Sequence, residues 1–159
     1  MRTTSHKAFT MLELTFVIVI IGILAAIAIP KLAATRDDAI IAKARSTVAS
    51  VRNAIATERQ KRILRGDFTP ITLVDSGNAN QNDSPIFDRF DGNSSSNRVL
   101  EYPLRTCKDG TSTGCWIRTD ATTYTYRMPI GNTHVDFNIT NNRFDCVTPS
   151  DANCKLLTE

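Results

Sequence analysis

One carboxylate in this chain of 159 residues stands where carboxylates are rare. Glu13 is the only charged side chain between residues 9 and 30. An acid deep in hydrocarbon costs on the order of 3 kcal/mol, so such a group usually faces a partner. No Lys or Arg in its own segment can serve, but the amine at the end of a neighbouring chain could. A plainer reading has Glu13, about one turn from the helix start, reaching the membrane interface or carrying a proton.

The second chemistry-bearing set is Cys107, Cys115, Cys146 and Cys154, two pairs with seven residues between partners. Zinc ligands come in tighter pairs, about two to four residues apart, so no metal is assigned. Disulfides are expected, and they require an oxidising compartment. Composition leaves the connectivity open. Our hypothesis pairs Cys107 with Cys115 and Cys146 with Cys154, each closing a turn-rich loop and contributing about 2–3 kcal/mol.

Catalytic chemistry finds no constellation. His6 lies in a short basic leader, and His134 falls on the polar side of an alternating strand, where it reads as solvated. There is no Gly-rich phosphate loop and no nucleophile elbow, so neither an enzymatic activity nor a cofactor is assigned. Asp145 and Asp151 flank the last loop but fall far short of the roughly 6–8 oxygens calcium takes. Asn93-Ser-Ser95 and Asn138-Ile-Thr140 match the short glycosylation pattern.

The apolar segment Phe9–Ile29 is a run of 21 residues. At about 1.5 Å per residue it spans roughly 30 Å, the thickness of a bilayer core. Ala26-Ile27-Ala28 offers a rival, a secretory signal cut after Ala28. The apolar run exceeds the usual core of about 7–15 residues, and Pro30 would lie just past the cut. A retained membrane helix is the expectation.

Lys7-Ala8-Phe9-Thr10-Met11-Leu12-Glu13-Leu14, followed by the apolar run from Val17 through Gly22 to Pro30, resembles the N-terminal signature of type IV pilins and type II secretion pseudopilins. Ala8 stands where that family usually has Gly. The resemblance implies cleavage by a prepilin peptidase between Ala8 and Phe9, N-methylation of Phe9, and pairing of the new amine with Glu13, commonly on an adjoining subunit. It also implies an assembly ATPase, an inner-membrane platform protein and a filament of like subunits. The Cys146–Cys154 pairing resembles the disulfide that staples the C-terminal loop of many type IV pilins.

Residues 30–65 continue as an amphipathic stalk. Ile41, Ala44, Val48, Val51 and Ile55 recur at helical steps, Gly66 ends the run, and Gly22 and Pro30 mark where the helix bends or loosens. Residues 31–65 carry a net +6 and residues 66–159 a net −4. The cluster Arg59, Lys61, Arg62 and Arg65 reads as capping and solubility. An acidic head argues against nucleic acid as a partner. Residues 66–97 are turn-rich, with Ile86, Phe87 and Phe90 as one anchoring turn. Strand patterns follow over 115–119, 122–128 and 133–140, ending near 143–146, a three- or four-stranded antiparallel meander.

The expected fold is α+β, a long N-terminal helix packed on a small antiparallel sheet. The expected divisions are a leader (1–8), a transmembrane assembly helix (9–29), the stalk (30–65) and a loop-rich head (66–159). The positive-inside rule alone leans towards a cytoplasmic head, since Lys31, Arg36, Lys43 and Arg45 outnumber Arg2 and Lys7. Four cysteines on that side argue for a periplasmic head, with the N-terminus cytoplasmic. The expected function is a structural subunit of a type II secretion pseudopilus or type IV pilus. The alternatives are a minor pilin for DNA uptake, or a soluble binding protein released after Ala28.

Overall fold

The computed structural model describes residues 9–92 and 97–159, without the side chains of residues 33 and 34. The element order is α1 (Met11–Leu64), β1 (Pro85–Ile86), β2 (Leu104–Arg105), β3 (Cys115–Arg118), β4 (Thr123–Arg127), β5 (His134–Thr140), β6 (Arg143–Cys146) and α2 (Ala152–Thr158). The chain divides into two compact units, one ending at Asp38 and the other Ala39–Glu159, and α1 contributes residues to both.

Gly66 stops α1 as its conformational freedom predicts. It adopts φ +77°, donates to the Ile63 carbonyl, and lets Asp67 N–H reach back to Arg62 O. That pair of bonds is the Schellman closure, which satisfies carbonyls that otherwise end the helix unpaired. Within the second unit, the stripe Ile41, Ala44, Val48, Val51 and Ile55 is buried. The 3.6-residue period is what sets these five side chains on one face.

Strands β3-β4-β5-β6 form an antiparallel meander in that order. In its register Trp116 faces Tyr126, Tyr124 faces Phe137, and Ile139 faces Phe144. Alternation sends Tyr124, Tyr126, Val135, Phe137 and Phe144 inward. The rings meet at preferred geometries: Phe137 stacks on Phe144 at 5.0 Å, and Phe87 meets Trp116 edge-on at 5.3 Å. Each such ring, fully buried, contributes about 1.5–3 kcal/mol by transfer alone.

The α1-to-sheet connection is more ordered than its composition predicts. Ile71, Val74, Ala79, Ile86, Phe87 and Phe90 are all buried, and β1 pairs with β2. Acids, two of them buried, supply what the scarce apolar residues do not. Asp75 is wholly buried, accepts the Tyr124 hydroxyl at 2.7 Å and Gly77 N–H at 2.7 Å, and lies 3.6 Å from Arg118. Asp88 accepts Ser76 N–H at 2.8 Å, and Asp91 pairs with Arg62 at 2.6 Å.

That last pair corrects the reading of the basic cluster. Arg62 is not a solvated cap. It is buried and bridges Glu58 at 3.3 Å to Asp91, tying the end of α1 to the connection. Arg65 does cap, donating to Lys61 O in the last turn, whereas Arg59 donates to Thr69 O beyond the helix end. The C-terminal helix α2 is an addition to the expected fold; its Cys154 and Leu157 are buried, and Arg45 donates twice to Leu156 O.

Candidate functional site

Two features carry the sequence expectations, the first turns of α1 and the disulfide-bonded head. At the start of α1, Glu13 N–H donates to Thr10 Oγ1 at 3.2 Å, while Thr10 N–H reaches Glu13 Oε2 at 3.5 Å. This reciprocal arrangement is a capping box, in which hydroxyl and carboxylate each satisfy an otherwise unpaired helix N–H. A Thr followed three residues later by Glu, before an apolar run, is its sequence signal, and the reading of Glu13 as an assembly acid missed it. The carboxylate also meets the positive end of the helix dipole.

Around that acid the surface is apolar and open. Phe9 is 80% exposed, and Leu12, Phe16, Ile18, Ile23, Ile27 and Ile29 are exposed as well. The segment is long and apolar enough to cross a membrane, by length and composition, and none of its apolar window is buried within the chain. Gly22 and Pro30 both lie inside α1. A Cβ added to Gly22 would meet nothing within 4 Å, so the lone chain gives no steric reason for glycine there. Pro30 deprives the helix of one N–H donor. Ala8, His6 and the rest of the leader lie outside the described residues, as does Asn93-Ser-Ser95.

The head brings the cysteines together as paired neighbours, Cys107–Cys115 and Cys146–Cys154. Cys107–Cys115 joins the loop before β3 to its first residue; Cys146–Cys154 joins the end of β6 to α2. Asp145 and Asp151 belong to no cluster of three or more potential metal ligands among the described residues. Asp145 is held by Arg52 at 2.8 Å and Arg143 at 3.1 Å, whereas Asp151 is the N-cap residue of α2. His134 is exposed at the start of β5, with Asp136 at 3.8 Å. Asn138 lies within β5, paired to β4 and β6, so it is not in the surface loop that a glycosylation acceptor occupies.

Titration in the head follows burial and hydrogen bonding. Burial, then the Asp75 charge, pushes the Tyr124 phenol well above its ordinary value. Burial alone pushes Tyr126 up to about 12. Both therefore stay neutral and act as hydrogen-bonding core residues. On the surface, hydrogen bonds from Thr111 and Ser112 hold Asp109 down at about 2.

With this geometry in view, one similarity to a known protein bears on function. Over 59 residues, 36% of its length, the chain is 51% identical to a curated protein described as type IV narrow pilus major component PilA5, from Thermus thermophilus. The chain spans about half the length of that relative. No family model matches the chain, and no solved structure does.

Proposed function

We propose that this chain is a structural subunit of a type IV pilus or a type II secretion pseudopilus, polymerised through its N-terminal helix. The observation that carries the reading is an open apolar helix surface whose only charge is an acid beside the start. Such a helix is stable in lipid or among copies of itself, and not in water. Similarity to a pilus major component points the same way.

In the proposed sequence of events the precursor sits in the inner membrane with its leader cytoplasmic and its head in the periplasm. A prepilin peptidase cuts between Ala8 and Phe9 and methylates Phe9. The freed amine has an ordinary pKa of about 7.7–8.0, so it is largely protonated near neutral pH. It then pairs with Glu13, on its own chain or the next. Transfer from lipid to filament exchanges lipid contacts for helix contacts, and the ion pair offsets part of the cost of placing two charges in a dry core. A platform protein and an assembly ATPase would drive that transfer. The family position of Gly22 would let neighbouring helices approach, and Pro30 would loosen the helix where it leaves the membrane.

Mass spectrometry of the mature amino terminus tests this directly. Methylated Phe9 is the expected result. A chain beginning at Ile29 would overturn it in favour of a secreted binding protein, and an intact Met1 would remove the processing step.

A further inference from the structure

The outward face of the sheet carries a groove that the filament reading does not use. It has a volume of about 420 Å³. Its floor is the solvent side of β3, β4 and β5, and one wall is the loop closed by Cys107–Cys115. We propose that this groove binds a neutral saccharide, a glycan unit without carboxylate, sulfate or phosphate.

The lining dictates the ligand class. Seven of its side chains are Thr or Ser hydroxyls. The protons of Thr111, Ser112 and Thr125 are already given to Asp109 and Asp136, but their oxygens still accept, so the lining offers a polyol acceptors as well as donors. Charge excludes the main rivals. The groove has a single Arg and no Lys against Asp120 and Asp136, and Arg127 Nη1 is already committed to Asp109 O at 2.8 Å. An anion would meet repulsion, and nucleic acid would find no cationic track. Ile117 is the one large apolar side chain in the lining, enough for one C–H face of a sugar ring but too little for an apolar ligand.

The floor is also set in advance. Thr125 lies on the outward face yet is buried. Its hydroxyl donates to Asp136 Oδ1 at 2.6 Å and lies 3.0 Å from Thr119 Oγ1. Asp136 is thereby fixed with one oxygen engaged. The other faces His134 at 3.8 Å, beyond hydrogen-bond distance, which leaves an oriented acceptor at the groove. Fixing the acceptor before binding lowers the ordering cost that weakens open polar sites. An open groove of this kind binds weakly as one copy, and a filament repeating it along its length raises the avidity. The avidity step rests on the filament reading; the site does not.

The test uses the full chain in detergent micelles on an array of neutral oligosaccharides, with sialylated and sulfated counterparts alongside. Expected is binding to at least one neutral glycan, weakened at least tenfold both by Asp136→Asn and by Thr113→Arg, an exposed wall position whose new side chain would obstruct the groove. Retained disulfides and an unchanged thermal midpoint identify variants that have folded. Three results would each overturn the site: no neutral glycan bound, preference for the sulfated or sialylated forms, or binding unchanged in both folded variants. Sheared filaments are then assayed with the same glycan. Binding by the micellar chain but not by filaments would retain the site and refute its outward placement in the assembly.

Discussion

Val19 and Ile20 lie open on the part of α1 before Asp38, while Val48 and Val51, further along the same helix, are sealed in the core of Ala39–Glu159. The side chains are chemically alike and their surroundings are opposite. In the second unit, periodic apolar positions meet a sheet whose inward face is aromatic, and the burial is complete within one chain. In the first, apolar residues run all round the helix and lie exposed. A helix hydrophobic on every side is a core or membrane element. The contrast separates a region that buries its own apolar face from one that leaves it exposed, a face that lipid or other copies would cover on the proposed function.

The largest effect should follow from Glu13→Gln. Glutamine can serve in a capping box as glutamate does, so the start of α1 is kept while the charge is lost. Leaving a buried amine without its counter-charge costs about 3–5 kcal/mol, more than a hundredfold in equilibrium terms. Sheared-fibre yield should collapse while the protein stays in the membrane fraction. Normal fibres from this variant would reduce Glu13 to a helix cap.

The complementary change is Phe144→Ala in the head. Phe144 stacks on Phe137 and meets Phe87 edge-on at 5.8 Å. Truncating a buried Phe costs about 3–5 kcal/mol. Denaturant unfolding of the micellar chain, followed by the fluorescence of Trp116, its single tryptophan, should show that loss. Ile20→Ala should leave the same transition in place and act only on fibre yield. Equal destabilisation by both changes would break the distinction between the two regions.

These regions also differ in how far the sequence can be read. The stalk stripe, the Gly66 stop and the strands β3 to β6 are legible because each depends on periodicity or a local conformational demand. So is the open apolar segment of α1, whose composition alone marks it out. The connection between α1 and β3 reads as weakly ordered because its anchors are distant in sequence. Asp75 finds Tyr124 across 49 positions, and Asp91 finds Arg62 across 29. A polar residue in a turn-rich stretch looks the same whether it faces water or a buried partner. Helix α2, seven residues long, is too short for periodicity to announce; a disulfide and Leu157 hold it. At the candidate site, Thr10 is visible as half of a capping box, but the membrane cost of Glu13 outweighs its local bond in any reading of the sequence alone.

Tyr124→Phe probes one of those distant anchors. Losing the hydroxyl removes the acceptor for Val74 N–H and a donor to buried Asp75. Groups left unpaired in this way cost about 1–3 kcal/mol. The unfolding midpoint should drop with the apolar part of α1 untouched, and the amides of residues 74–77 should exchange faster with solvent. A variant as stable and as protected as the parent would mean that the connection is held by its apolar residues alone.

The smallest expected effect lies at the surface of the head, where order depends on a single charged turn. Asp109 accepts hydrogen bonds from the amides and hydroxyls of Thr111 and Ser112, and its carboxyl is lowered from 3.8 to about 2. A folded value below the unfolded one means that the carboxylate form is favoured by folding. Its contribution is therefore complete above pH 4 and fades as pH falls towards 2. Asp109→Asn should be less stable than the parent by a constant margin from about pH 7 to 4, and that margin should shrink between about pH 4 and 2. Because the carboxylate is exposed, the margin should be small beside that of Tyr124→Phe. NMR titration of the Asp109 carboxyl gives the direct reading: a midpoint near 2 supports the ordered turn, and an ordinary 3.8 would show that this wall of the head is not held by its charge.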